Sequence, residues 1–188
     1  MSLLWAAEWL AGTPGSIALH ESQYMYTIVE SVHVLTLCLF MGFAVLFDLR
    51  LLNKAFTQVP VSEFSRRILP WTVGGFVIMV ITGAALFYAI PVRTYLSIWF
   101  RFKLVFLALA GLNVLIFHTG IGARVAEWDL AAVTPRAARR AAVASLVLWA
   151  LIIVFGRFIA YNWFDCDIQP QSSFVNVVAG CVVPPAKP

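Results

Sequence analysis

Glu30 and His33 stand three residues apart in ESVHVLTLCLFMGFAVLF (30–47), a stretch otherwise made of apolar side chains and small polar ones. On a helix that spacing puts both groups on one face. Neutral imidazole is the usual ligand for iron, copper or zinc. Glu-x-x-His is also the spacing by which helices grip metal ions with carboxylates. Such sites use several copies of the motif and this chain has one, so Glu30 reads equally as an acceptor that orients a ring N–H of His33. The chain has three histidines. His20 precedes His33 by thirteen residues, and His118 lies far along the chain in FRFKLVFLALAGLNVLIFH. His20, Glu30 and His33 together have the donor types of a copper site. No nucleophile–base pair, phosphate-binding loop or HExxH zinc spacing is present.

What would position these groups follows from composition. The chain has 188 residues, 62% hydrophobic and only 12% charged, whereas a soluble domain is nearer half apolar and a quarter charged. A membrane-spanning helix needs about 20 mostly apolar residues. Four stretches qualify, at about 24–47, 71–90, 102–121 and 141–160. The expected fold is all-α: an integral membrane four-helix bundle forming a single domain over residues 1–188, with a C-terminal tail at 163–188.

Charge gives this arrangement a direction. The links between spans one and two and between three and four hold Arg50, Lys54, Arg66, Arg67, Arg124, Arg136, Arg139 and Arg140. Lys/Arg excess marks the cytoplasmic side, so both termini are expected outside, in the periplasm of a bacterial inner membrane. The net charge of +4 is then a topology signal and implies no nucleic acid. Trp71, Trp99, Trp128 and Trp163 sit near expected span ends, as an aromatic belt does. Residues 3–11 have no basic start and include Glu8, which argues against a cleaved signal and for a short N-terminal interfacial helix. Gly12-Thr13-Pro14-Gly15-Ser16 then breaks it. Cys166 and Cys181 fall in the outer tail, where disulfides persist, and are expected to pair. Cys38, inside span one, reads as a small apolar filler.

Ionisable residues inside a membrane are costly and usually functional. His33 in span one and His118 in span three are what a cofactor gripped between helices requires. A b-type haem needs one or two axial ligands and room for a flat macrocycle, and Gly42, Gly75, Gly83 and Gly111 offer room. Small residues also simply let helices approach, and a lone membrane histidine packs as readily as it ligates. Lys103 and Arg157, near the outer ends of spans three and four, suit haem propionates or snorkel to headgroups. His33 and His118 differ in expected depth by about 10 Å at 1.5 Å per residue. One bis-histidine haem is therefore strained, and two sites are the alternative, with Met79 and Met41 as further ligands. Asn113 is expected to bond across to another helix.

HVLTLCLFMGFAVLFDLRLL, RRILPWTVGGFVIMVITGAALF and FRFKLVFLALAGLNVLIFH together resemble a family of small bacterial inner-membrane proteins of unknown function. That family is akin to the membrane domain of copper-resistance protein D and, more loosely, to four-helix membrane b-type cytochromes. The resemblance covers roughly residues 20–160, through Asp48-Leu49-Arg50-Leu51-Leu52, Thr82-Gly83 and the Asn113…His118 pair. It implies haem or copper handling, with His33 and His118 as ligands. Di-haem members need four span histidines and this chain has two. The expected protein is a membrane b-type cytochrome: haem b for single-electron transfer, with a copper site near the outer face. Its partners would be the lipid bilayer, a second copy in a homo-oligomer, and a quinone or periplasmic redox partner. It would be an electron carrier or a component of an oxidoreductase. A copper transporter or chaperone without haem, and a structural subunit of a membrane complex, stay open.

Overall fold

Hydrocarbon offers no partners to backbone N–H and C=O groups, so a long apolar run must satisfy them within itself as helix. The computed structural model describes residues 3–129, 131, 133–161 and 163–181. Positions 182–188, the end of the expected tail, lie outside the described residues. In chain order the helices are α1 (Leu4–Ala11), α2 (Pro14–Glu21), α3 (Met25–Leu51), α4 (Val61–Ala89) and α5 (Pro91–Tyr95). They continue with α6 (Ile98–Thr119), a 3₁₀ turn (Ile121–Arg124), α7 (Val125–Trp128), α8 (Arg136–Phe158) and α9 (Ser173–Ala179). The described residues contain no strand. The helices α3, α4, α6 and α8 anchor four segments long and apolar enough to cross a membrane.

The helices overrun the expected spans at their arginine-rich ends. α4 begins at Val61 rather than Trp71, and α8 at Arg136 rather than Ala141. Pro70 therefore sits inside α4 instead of before it. Proline removes one helical N–H, a loss that membrane helices tolerate. Arg66, Arg67, Arg136, Arg139 and Arg140 consequently ride on helix rather than in links, and Arg67 pairs with Glu63 one turn back.

α3 packs along α4, α6 along α8, and the two pairs join through α3 against α8. Phe40, Met79, Ala110, Trp149 and Ile152 bring all four helices together in a central cluster. The Phe40 ring meets Trp149 edge-on at 4.7 Å. α3 and α4 come close at Gly75, where a Cβ would be in van der Waals contact with Phe40 at 3.4 Å. At the arginine-rich end a second cluster joins Leu51, Val61, Phe117, Trp128, Ala138 and Ala142. Trp128 is thus a core residue at 7% exposure and not part of an aromatic belt; its indole N–H is satisfied by the Ile121 carbonyl. Buried Arg50 donates from Nε to the Val59 carbonyl at 2.8 Å. Thr134 donates to Asn53 at 3.0 Å, fastening the two loops together. The Asp129 carboxylate accepts the Ser62 backbone N–H at 2.9 Å and so caps α4. Desolvation works against that charge, but the hydrogen bonds from Ser62 and Val61, with Arg50 nearby, hold the carboxyl below the usual carboxylate range.

The opposite end carries the chain's described termini. Two short helices, not one, precede the first span. α1 exposes Trp5 and Trp9, as an interfacial helix does. Thr13 then caps α2 by accepting from the Ser16 N–H. The break is therefore confined to Gly12-Thr13, with Pro14 suited to the first helical turn. α2 docks on α4: the Thr13 and Tyr88 hydroxyls share a 2.6 Å hydrogen bond, and Ser16 donates to the Tyr88 carbonyl at 2.7 Å. Gly15 is required there, because a Cβ would lie 2.7 Å from the Tyr88 hydroxyl.

Cys166 and Cys181 form the expected disulfide. It holds α9 against the start of α6, where Ile98, Val175 and Ala179 are buried together. The Arg101 guanidinium stacks on Tyr95 and lies against Gly180, whose φ of +74° favours glycine. Arg93 reaches Asp165 at 3.4 Å; burial pushes the Asp165 carboxyl up and Arg93 pulls it back. Closing a 15-residue loop contributes up to ~3 kcal/mol. Reduction should therefore speed amide exchange in α9 by up to roughly two orders of magnitude while the four long helices keep their circular dichroism. A mass map in which both cysteines are alkylated without reduction would remove the bridge.

Candidate functional site in the polar layer at the tail end

One to two turns from the central aromatic cluster, toward the end that carries α9, the long helices place a layer of polar groups in apolar surroundings. His33 stands seven residues before Phe40 on α3, and Lys103 seven before Ala110 on α6. Thr82 and Gly83 follow Met79 on α4 by one turn, and Gly156 follows Ile152 on α8 by one turn. At 1.5 Å per residue, His33, Thr82 and Lys103 lie about 7–12 Å from the tail-end terminus of their helices.

The half-buried His33 ring occupies the space a side chain on α4 would need. A Cβ at Gly83 would stand 3.2 Å from His33 Cε1. His33 Nδ1 is 2.9 Å from Thr82 Oγ1. Lys103, also half-buried, places Nζ 3.4 Å from where a Cβ on Gly156 would be. Among the described residues no carboxylate lies within ion-pair distance of it. The layer therefore combines an imidazole, with Gly83 making room for its ring, and an ammonium without a carboxylate partner among the described residues. Such a set can ligate a metal through the imidazole, bind an anionic group through the ammonium, or exchange a proton.

The other sequence candidates are placed elsewhere. His118 is exposed on the last turn of α6, its ring edge-on to Phe117 at 5.4 Å. The inward position at that level belongs to Phe117, which is 9% exposed, and the next residue on a helix points about 100° away. His118 is fifteen residues from Lys103 on one helix, about 22 Å, so one iron cannot take both His33 and His118 from the same chain. His20 and Glu30 are exposed. No group of three His, Cys, Asp or Glu that could hold a metal ion occurs among the described residues, so His20, Glu30 and His33 do not form the expected copper cluster. Arg157 is exposed and stacks over the Tyr161 ring at 5.2 Å, away from the layer. Cys38 is exposed rather than a filler. An added Cβ on Gly42 or Gly111 would have nothing within 4 Å. Asn113 does bond across, donating to the Ala141 carbonyl at 3.0 Å.

Two features were not legible as sites. Thr82, forty-nine residues from His33, is its hydrogen-bond partner, and no spacing rule links them. Asp48 is 5% exposed at the arginine-rich end. Its Oδ2 has no hydrogen-bond partner among the described residues.

Four membrane-length helices, with a polar layer set among them, define a multi-pass membrane protein. Residues 7–162 match a family of unknown function (DUF6644), and the chain belongs to that family. No curated protein and no solved structure matches the chain.

Proposed function

We propose that the chain is a membrane b-type cytochrome that holds one haem b through His33, with Lys103 as the partner of a haem propionate. The observation that carries this reading is the half-buried imidazole packed on Gly83, in one layer with an ammonium that has no carboxylate partner among the described residues. An unpaired cation in apolar surroundings is expensive unless an anion meets it, and a propionate is such an anion. The residues present fit a haem with a single protein ligand; they do not fit the bis-histidine form, because His118 stands about 22 Å from the Lys103 level. When bound, haem supplies one-electron chemistry, and the chain's part is to ligate it, neutralise its carboxylate and exclude water. The absence of a three-donor cluster among the described residues leaves the copper readings without support from geometry.

In this reading the tail end faces the periplasm of a bacterial inner membrane. The arginine-rich end fits the cytoplasmic side, and the disulfide at the tail end fits an oxidising compartment. A second copy of the chain would cover the exposed Glu30 face of α3, and a quinone or a periplasmic protein would exchange electrons near His33. The deciding experiment is the absorption spectrum of the purified protein, oxidised and then dithionite-reduced. A b-type spectrum at about one haem per chain is expected. A protein that carries no haem, and binds none when it is supplied, overturns the reading.

A further inference from the structure

His33 has two ring nitrogens, and only an unprotonated one can bind a metal. The surroundings of Thr82 decide which it is. Thr82 Oγ1 is 2.8 Å from the Ile78 carbonyl and 3.2 Å from the Met79 carbonyl on its own helix, besides 2.9 Å from His33 Nδ1. A hydroxyl has one proton to donate and two lone pairs to accept with. Carbonyl oxygens only accept, so the Thr82 proton points at the helix backbone; without it, two oxygens would face each other at hydrogen-bond distance with no hydrogen between them. The contact to His33 must then run the other way, from Nδ1–H into a lone pair of Oγ1. In a neutral imidazole, a proton on Nδ1 leaves Nε2 bare.

We infer that Thr82 is a positioning residue that holds His33 as its Nδ1–H tautomer and leaves Nε2 as the lone-pair nitrogen for a ligand. That the ligand is haem iron rests on the proposed function; the tautomer does not. The backbone of α4 thus acts through one hydroxyl to set the chemistry of a residue on α3, and Gly83, next in sequence, provides the space in which the ring is held.

The test uses the full chain in bilayers, free of haem, with His20→Gln and His118→Gln, both exposed positions, so that His33 is the one histidine left. Nitrogen-15 solid-state NMR then shows which ring nitrogen carries the proton. The expected result is a protonated nitrogen bonded to Cγ and an unprotonated one bonded to Cδ2. Thr82→Val, which keeps the shape and loses the acceptor, should give a mixture of tautomers, and Thr82→Ser should restore the single one. Haem titrated into the same proteins should bind roughly 10–100-fold more weakly in Thr82→Val and near normally in Thr82→Ser. A proton on Nε2 in the parent protein, or the same single tautomer in Thr82→Val as in the parent, overturns the inference. An Nδ1–H tautomer in a protein that takes up no haem leaves the tautomer standing and removes the cytochrome reading.

Discussion

His33→Ala should reduce haem content at least ~100-fold, since removing the one protein ligand removes the metal bond itself, while the four long helices still insert. Alanine suits a membrane helix, and the lost ring leaves only the small gap beside Gly83. His118→Ala should leave haem content and spectrum unchanged, because that ring is exposed at the far end of α6. The pair separates this one-ligand site from any bis-histidine arrangement. Haem per chain, measured after extraction, and circular dichroism of the same samples give the two readouts. A His33→Ala protein with the parent's spectrum and haem content would show that His33 only packs, and a matching loss in His118→Ala would show that the site needs both rings.

Lys103→Met should move stability and haem binding in opposite directions. Methionine keeps the length of the side chain against Gly156 and removes the unpaired ammonium. A lone Lys charge at the centre of a membrane helix costs about 2.5–3.5 kcal/mol, and an apolar side chain of similar size removes up to that cost. The haem-free variant should therefore unfold later than the parent, by about 2–4 °C for each kcal/mol gained. Haem should bind it more weakly, because a charge-assisted hydrogen bond of about 1.5–3 kcal/mol is lost, or roughly 10–100-fold. Thermal unfolding of the haem-free protein and a haem titration, made side by side, check both signs. A haem-free Lys103→Met protein less stable than the parent would mean that the ammonium is a structural group already satisfied within the fold.

The solvent and the scale of this protein are set before any tertiary contact forms. Long apolar runs cannot be solvated by water and cannot leave backbone groups unpaired in lipid, so the number of membrane-length segments and their helical state follow from length and composition alone. The cysteine pair was legible too: two thiols in a short tail outside the apolar runs were expected to pair if that tail lies in an oxidising compartment, and they do pair. Which residues face one another depends on how the helices pack. A soluble helix advertises its inner face by a polar outer one, but α3 and α6 are apolar nearly all round because their other neighbour is lipid. Glu30 and His33 therefore looked equivalent on one face, and His118 looked as well placed as His33. Packing broke that symmetry. Phe117 took the inward position at the end of α6, and Gly83 admitted the His33 ring. Thr82, on a different helix, became the neighbour that sets which nitrogen is free. That last fact rests on the donor and acceptor capacity of three groups brought within 3.2 Å of one hydroxyl by two helices, a relation no spacing along the chain encodes.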